Sequence, residues 1–442
     1  MECECEICKN NKPFDLPKEI IEAAINGNLV IFGGAGISTE KKTVLPFTFY
    51  SSIKEELGET DDGLSFCDLM QRYCSAPDGR KKLLQRIRER FDYIKSFPEL
   101  ESMATTFHKE LSDIYLIKTI ITTNWDTYFE DYCGAVAITI PEDVRFFDFD
   151  SRFVIKIHGS INNISTIVAT TDDYDRCYKT LQNGAVGGVL KSILATKTVV
   201  FVGFSFGDDD LRRIMDLLRS EMGELYPHLY FVTLDTALAE KINYRNATFI
   251  ITDGTFFLHN LKLELIRQGI LASNCSKELV DSVYCITQDY HERIASADLL
   301  KYPETIYTLA YQDGIIHAIE RFYENRTGDY HIQGMIEKTV RNYEHIVEKC
   351  HQAGNFWDEA YFEGYTNGLL LLGISEVESE KELLSSFPYL YLPNAKKALA
   401  GMDDYYEELE RVMEVNDEYN QYARQVIHER LSEGLVVHHP LY

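Results

Sequence analysis

The feature that most constrains the fold is a series of short apolar runs, rich in β-branched residues, between residues 18 and 275. Each run is apolar almost throughout, as are strands buried on both faces of a parallel sheet. Amphipathic stretches such as 81–90 and 209–222 separate the runs and are typical of helices. This alternation predicts a doubly wound α/β domain with a parallel sheet. The predicted strands span 29–32, 119–122, 136–139, 153–156, 198–202 and 229–232.

Beyond residue 275, longer helical patterns replace the strand-like runs. The predicted helices span 281–297, 304–325, 334–352, 356–372 and 403–433. On the last helix, one buried face is predicted from Leu409, Val412, Val415, Tyr419 and Tyr422, which recur at steps of three and four residues. The predicted domains are an N-terminal extension at 1–17, an α/β domain at 18–275 and an all-helical domain at 276–442. The helical domain suits packing, regulation by sensing, or oligomerisation, and its sequence favours none of these roles over the others.

Net charge limits the partners of the chain. A charge of −26, from 70 acidic and 44 basic residues, repels a polyphosphate backbone and disfavours broad nonspecific nucleic-acid binding. A small anionic ligand stays compatible, since a helix N-terminus attracts phosphate locally. No apolar run reaches the about 18 residues of a membrane span, and residues 1–6 lack the basic-then-apolar order of a signal peptide. We therefore expect a cytoplasmic protein without membrane contact.

The ten cysteines are scattered, so we expect free thiols rather than a disulfide scaffold. Only Cys3, Cys5 and Cys8 cluster. Cys5 and Cys8 have the spacing of a zinc knuckle, but no second pair lies nearby to complete four ligands. A reduced terminus is the favoured interpretation, and no metal site is predicted.

The first of four motifs is Gly-Gly-Ala-Gly-Ile-Ser at 33–38, directly after a predicted strand. Open α/β sheets bind ligands at this edge. Its glycines allow a tight turn and a close approach of the backbone to a pyrophosphate. A purely structural turn accounts for such a cluster about as well.

The second motif is Thr-Thr-Asn-Trp-Asp at 122–126. Asn124 offers a donor and an acceptor, and Asp126 offers a carboxylate, at a loop edge. Either residue could instead cap the following helix. On this segment alone, the cap is the favoured interpretation.

The third motif is Lys-Ile-His-Gly-Ser at 156–160. His158 ends a strand and precedes a glycine, where an imidazole can act as a general base near neutral pH. A lone histidine is nevertheless more often packed or hydrogen-bonded than catalytic.

The fourth motif, at 202–210, runs from a strand into Gly-Phe-Ser-Phe-Gly and an acidic helix start. It matches the nucleophile elbow of α/β-hydrolases. That fold places its histidine last in the chain, whereas His158 precedes Ser205. The alternative is a binding loop in which Gly203 and Ser205 contact phosphate or ribose.

In this order the four motifs resemble the Sir2 (sirtuin) superfamily across residues 18 to 270. The resemblance implies a Rossmann-like, Sir2-type sheet that binds NAD+ as a substrate. The residues that it implies for binding are Gly34, Ala35, Gly36, Ser38, Thr123, Gly203 and Ser205. The first four of these would line the phosphates and ribose, and the last two the adenosine side. The residues that it implies for catalysis are Asn124, Asp126 and His158.

Two departures distinguish the chain from deacylase sirtuins. Those enzymes carry two cysteine pairs that bind a structural zinc between the third and fourth motifs, whereas this interval holds only Cys177, so we expect no zinc there. The Pro-Asp-Phe-Arg loop after the glycine motif is replaced by Lys-Lys-Thr-Val-Leu-Pro-Phe at 41–47. An arginine contact to NAD+ is thereby lost. Both departures are similar to the bacterial antiphage SIR2-like group, whose members deplete NAD when triggered.

The resemblance thus implies an NAD+ hydrolase that releases nicotinamide and ADP-ribose as a triggered effector of antiphage defence by abortive infection. Asn124 would position water or ribose hydroxyls, Asp126 would hold the carboxamide, and His158 would accept a proton. The implied partners are further copies of the chain, a HerA-like partner ATPase or a phage-derived trigger. Two other functions stay open: an NAD-dependent protein deacylase or ADP-ribosyltransferase, and a non-catalytic nucleotide-sensing module.

Overall fold

The structure is a computed structural model that describes residues 6–41, 43–61, 63–146, 151–204, 213–214, 216, 223, 227–236, 246–272, 277–324, 329–373, 380–432 and 438–440. The chain divides into two compact units, residues 1–265 and 266–442. The first contains the sheet and the second is helical. The domain limits given above, including the extension at 1–17, stay predictions.

A seven-stranded sheet organises the first unit, and every neighbouring pair of strands is parallel. The strands are β1 Leu29–Gly33, β2 Thr119–Thr122, β3 Val136–Ile138, β4 Phe153–Lys156, β5 Thr198–Val202, β6 Leu229–Thr233 and β7 Ala247–Ile251. Their order is β3-β4-β2-β1-β5-β6-β7, so β2, β3 and β4 lie on one side of β1, β5, β6 and β7 lie on the other, and the strand order reverses between β1 and β5. The predicted doubly wound, Rossmann-like class is confirmed. Sequence reasoning missed β7, an edge strand that is only partly buried.

Register places one aromatic residue opposite another across four adjacent strands. Phe32, Phe201, Phe231 and Phe249 are paired across β1, β5, β6 and β7. Successive ring centroids lie 4.8, 5.0 and 5.0 Å apart, with interplanar angles of 16–21°. Stacked rings bury a large apolar area and add cross-strand attraction, which stabilises the half of the sheet beyond β1.

Helices surround this sheet. They are α1 Glu6–Lys9, α2 Lys18–Ile25, α3 Phe49–Leu57, α4 Phe66–Cys74, α5 Gly79–Lys95, α6 Pro98–Ser112, α7 Tyr128–Cys133, α8 Thr171–Asn183, α9 Ala185–Thr196 and α10 Gly254–Arg267. The predicted helix at 81–90 lies within α5. The one predicted at 209–222 lies largely outside the described residues. In the described part of the chain, no helix is both long and apolar enough to cross a membrane.

The second unit consists of helices. They are α11 Lys277–Ala295, α12 Thr305–Glu324, α13 Gln333–Gln352, α14 Phe356–Leu372, α15 Glu380–Ser386, α16 Met402–Met413 and α17 Glu418–Ser432. The single helix expected at 403–433 is wrong, because α16 ends before Asp417. The Asp417 carboxylate accepts a hydrogen bond from the Asn420 N–H and starts a new helix. Val415, expected on the buried face, is therefore exposed in the break.

Two glycines allow α12 and α14 to pack with their backbones in contact. A Cβ on Gly314 would lie 2.1 Å from the Tyr361 carbonyl oxygen, and one on Gly364 would lie 1.8 Å from that of Tyr311. Buried tyrosines fill the surrounding core. The Tyr311 hydroxyl donates to the Pro388 carbonyl at 2.7 Å, and the Tyr307 hydroxyl donates to that of Tyr419 at 2.7 Å. These two hydroxyls are thus satisfied inside an apolar core.

A buried histidine makes the first unit sensitive to acid. His108 on α6 packs against Tyr128 and Phe129, and neither of its ring nitrogens has a hydrogen-bond partner among the described residues. Burial, with a smaller effect of Lys41 and Lys156, lowers the pKa of His108 to about 3. The folded protein therefore keeps His108 neutral while the unfolded chain takes up a proton below its ordinary pKa. Stability is lost as the pH falls through that window.

We predict that His108→Phe removes part of this acid sensitivity. When the pH falls from 7.5 to 5.5, the free energy of unfolding of His108→Phe should fall by about 1 kcal/mol less than that of the original protein. Urea unfolding at both pH values measures the difference. The exposed His345→Gln variant is the control and should show no such gain. An unchanged pH dependence in His108→Phe would contradict the assignment.

Candidate functional site

The four motifs leave the sheet at one common level. Gly33 is in register with Thr122 on one side and Val202 on the other, and Thr122 is in register with Lys156. The loops after β4, β2, β1 and β5 therefore start side by side at the carboxyl edge. The described motif residues lie on these loops, and Ser205 lies outside the described residues. This edge, at the point where the strand order reverses, is where such sheets bind ligands.

A buried hydrogen-bond chain joins the first motif to the second. Asn124 Nδ2 donates to Ser38 Oγ at 3.2 Å, and Ser38 Oγ donates to Asp126 Oδ2 at 2.9 Å. The three residues are 7%, 1% and 3% exposed. Asn124 and Asp126 lie 86 and 88 residues after Ser38 in the sequence, and these two hydrogen bonds bring the three side chains together.

Donor and acceptor counting fixes the orientation of the Asn124 amide. Ser38 has one hydroxyl proton, which the Asp126 carboxylate accepts, so Ser38 must receive its other bond from an N–H. Asn124 therefore turns its nitrogen to Ser38. Its Oδ1 atom is buried without a partner among the described residues. An unpaired buried acceptor is costly, and it is the kind of group that a ligand hydroxyl or water satisfies.

Thr122 sets the position of the second motif and was not singled out from the sequence. Its hydroxyl donates to the Gly33 carbonyl at 2.8 Å and accepts the Asn124 N–H at 3.0 Å. The predicted binding residue Thr123 adds a backbone bond to the same carbonyl, at 3.3 Å. A threonine at the last position of a buried strand is the only sequence signal for this role.

Asp126 serves two partners. Besides Ser38, it accepts the Tyr128 N–H at 3.3 Å, so the helix-cap alternative holds for this residue but not for Asn124. Burial raises the pKa of Asp126, and the positive charge of Lys156 opposes that rise. Lys156 has a side chain with no exposed surface, donates to the Asp126 carbonyl, and pairs with Glu130 at 2.9 Å. A lysine inside an apolar strand run was the signal for this residue.

His158 lies at the same edge in an aromatic setting. It is 2% exposed, and its ring centroid lies 4.8 Å from that of Tyr174 and 6.1 Å from that of Tyr178. Burial, with a smaller effect of Arg213, lowers the pKa of His158 to about 3. The imidazole is therefore neutral at neutral pH and can accept a hydrogen bond, although it is a weak base.

The glycines of the first motif pack against the fourth motif. The Gly34 N–H donates to the Val202 carbonyl at 2.8 Å, and the Gly36 N–H donates to that of Gly203 at 3.0 Å. A Cβ on Gly34 or Gly36 would lie 2.8 or 2.9 Å from the Gly203 carbonyl oxygen. Gly203 itself has a φ of +79°. These glycines are required by the contact between the loops, and Ala35 and Gly36 stay exposed at its surface.

Comparison with known protein families and proteins finds similarity in the part of the chain that forms this edge. A family model described as a SIR2-like domain matches residues 118–252, a range that begins with β2 and contains the second, third and fourth motifs. Residues 118–252 of this chain are therefore similar to a SIR2-like domain. The Sir2 resemblance deduced from the motifs is thereby confirmed, and the glycine motif at 33–38 joins the domain through the sheet and the contacts described above.

The chain is also similar to several named proteins. It is 24% identical to defense-associated sirtuin 2 of Bacillus subtilis over an alignment of 277 residues that covers 59% of this chain and 26% of the relative. It is 29% identical over 218 residues to the NAD(+) hydrolase ThsA of Cytobacillus dafuensis, covering 47% and 42% of the two chains. The ThsA of Enterococcus faecium is 28% identical over 296 residues, covering 65% and 57%. The chain thus spans between a quarter and three fifths of the length of these relatives.

We predict that Gly36→Ala loosens the contact between the first and fourth motifs. The added methyl group meets backbone atoms of Gly203, which cannot move aside as a side chain can, so the free energy of unfolding should fall by about 1–3 kcal/mol. The matched control is Gly188→Ala on α9, where a Cβ meets nothing within 4 Å. It should raise stability by roughly 0.5–1 kcal/mol. Equal effects of the two variants in urea unfolding would show that the contact is not tight.

Proposed function

We propose that the protein is an NAD+ hydrolase that cleaves the nicotinamide–ribose bond to give nicotinamide and ADP-ribose. The observation that carries the proposal is the buried chain from Asn124 through Ser38 to Asp126, which leaves the Asn124 Oδ1 acceptor unpaired beside a glycine loop. An amide acceptor at the edge of a SIR2-like sheet suits a ribose hydroxyl or a water molecule. The relatives named NAD(+) hydrolase support the same substrate.

The chemistry needs positioning more than strong acid catalysis. The bond between C1′ of the ribose and the pyridinium nitrogen breaks, and its electron pair leaves with neutral nicotinamide. Water forms the new bond to C1′, and its proton passes by way of His158 to the solvent. In this proposal Asn124 Oδ1 orients that water or a ribose hydroxyl. Asp126 and Ser38 are positioning residues that hold the amide. Preorganised groups of this kind supply most of the acceleration when the leaving group is already cationic.

His158 contributes as a neutral acceptor. Because burial keeps its pKa near 3, the imidazole is unprotonated throughout the physiological range, and it accepts a hydrogen bond from the hydroxyl or water that loses its proton. In the proposed site, Asp126 also contacts the carboxamide of NAD+. The residues proposed to contact the rest of NAD+ are Gly34, Ala35, Gly36, Ser38, Thr123, Gly203 and Ser205.

We predict that Asn124→Ala and His158→Ala each lower nicotinamide release by roughly a hundred- to ten-thousand-fold. The measurement is nicotinamide and ADP-ribose formed from NAD+, quantified by chromatography, with mass spectrometry of protein for acetyl removal or ADP-ribose attachment. Asn183→Ala at the end of α8 is the matched control and should keep the original rate. Original rates in both site variants, with intact folds, would overturn these roles, and a modified protein product would indicate a transferase or deacylase instead.

We further propose that this activity serves antiphage defence and is triggered, since unrestrained NAD+ cleavage would deplete the host. A relative named defense-associated sirtuin supports the role. The trigger is phage-derived or reaches the chain through a partner ATPase or further copies of the chain.

We predict that phage-infected lysate raises nicotinamide release by the purified protein above the rate with uninfected lysate. The Asn124→Ala protein in the same infected lysate measures the cleavage that other enzymes contribute, and it should show no rise. A purified protein already at full rate without lysate would contradict triggering, while leaving NAD+ cleavage itself intact.

A further inference from the structure

In the helical unit, three side chains of the types that can bind metals converge, and none of them belongs to the four motifs. His291 lies on α11, Asp313 on α12, and His438 in the described segment 438–440. Their facing atoms are His291 Nε2, Asp313 Oδ1 and His438 Nδ1. The two nitrogens lie 3.0 Å apart, and each lies 3.6 or 3.5 Å from the carboxylate oxygen.

This triangle has the dimensions of one face of a zinc tetrahedron. Zinc binds nitrogen and oxygen ligands at about 2.0–2.1 Å, which places neighbouring ligand atoms about 3.3 Å apart in tetrahedral geometry. The three separations lie around that value, so a single ion close to their centre would reach all three atoms at bonding distance. Two imidazoles and one carboxylate form a ligand set that zinc uses widely.

A second layer of contacts orients the Asp313 carboxylate. The other carboxylate oxygen, Asp313 Oδ2, accepts the His439 N–H at 2.8 Å, which turns Oδ1 towards the imidazoles. His439 is itself fixed, because its Nε2 lies 2.9 Å from Asp358 and its ring stacks on Tyr361 at 4.0 Å. Outer contacts of this kind orient ligands in metal sites.

Exposure differs among the three ligands. His291 and Asp313 are buried, whereas the side chain of His438 is 47% exposed. The site is therefore anchored in the helical core and open on one side. That opening gives an ion a path of entry and leaves the fourth position of a tetrahedron to water.

We propose that the helical unit binds one Zn²⁺ through His291 Nε2, Asp313 Oδ1 and His438 Nδ1, with water as the fourth ligand. The ion would tie the segment at 438–440 to α11 and α12. His291 and His438 are 147 residues apart in sequence, so the unfolded chain does not hold the three ligands together. An ion that binds only the folded unit stabilises that unit when metal is present.

The test uses the full chain with Cys3, Cys5 and Cys8 changed to Ser, which removes the N-terminal thiols as a competing site. After chelator treatment, titration with zinc alone should give one Zn²⁺ per chain and a rise in melting temperature. Cobalt(II) in its place should give tetrahedral visible bands without a thiolate charge-transfer band. His438→Ala should weaken zinc binding by roughly a hundred-fold or more and abolish the thermal rise.

His345→Ala on α13, which removes an exposed histidine, is the matched control and should bind zinc as the parent does. Circular dichroism checks that His438→Ala keeps its helices, which we expect because His438 is half-exposed. No zinc bound by the parent, or equal binding by His438→Ala, would overturn the proposal. The three side chains would then form a hydrogen-bonded cluster only, with one imidazole donating to the other.

Discussion

Parallel register is the constraint on which the SIR2-like unit depends. Gly33, Thr122, Lys156 and Val202 stand at one level of four adjacent strands, so their loops begin together although they are widely separated in sequence. A slip of one residue in any pair would move its loop along the strand axis, out of level with the other loops, and turn its side chains to the opposite face. The Phe32, Phe201, Phe231 and Phe249 stack opposes such a slip from β1 outwards.

Register brings the loops together, and the burial of their polar side chains also contributes to the site. Asn124, Ser38 and Asp126 are removed from water, where each hydrogen bond is stronger and each unpaired atom is more costly. Of the polar side-chain atoms of these three residues, only Asn124 Oδ1 is buried without a hydrogen-bond partner in the described part of the protein. Burial acts on the charges as well, since it raises the pKa of Asp126 and lowers that of His158. The imidazole of His158 is therefore neutral at neutral pH.

Much of this arrangement could be predicted from the sequence, because the information is local. Six strands are continuous apolar runs, and each motif stands directly after one of them. Sequence reasoning missed β7, although its sequence Ala-Thr-Phe-Ile-Ile is also a short apolar run. It also missed the break between α16 and α17, because Asp417 lies within a continuous helical pattern. Periodicity detects a buried face, but it does not detect a cap inside a long pattern.

Contacts between distant residues could not be predicted in this way. Thr122 and Lys156 support the site through a backbone carbonyl and a buried ion pair, and neither role leaves a motif. The cluster of His291, Asp313 and His438 is harder still to predict, because no regular spacing relates the three residues in the sequence. The loop glycines are a further example. Their sequence pattern predicts an approach of the backbone to a pyrophosphate, but it does not predict that Gly34 and Gly36 are needed for the contact with Gly203.

The most direct test is a crystal structure of the full chain with a carbocyclic NAD+ analogue that cannot be cleaved. The account predicts that an oxygen of the nicotinamide-side ring, or a water on it, lies about 2.7–3.2 Å from Asn124 Oδ1, with the pyrophosphate near the backbone of the loop after β1. An analogue bound elsewhere, with Asn124 Oδ1 still unpaired at the empty edge, would contradict it.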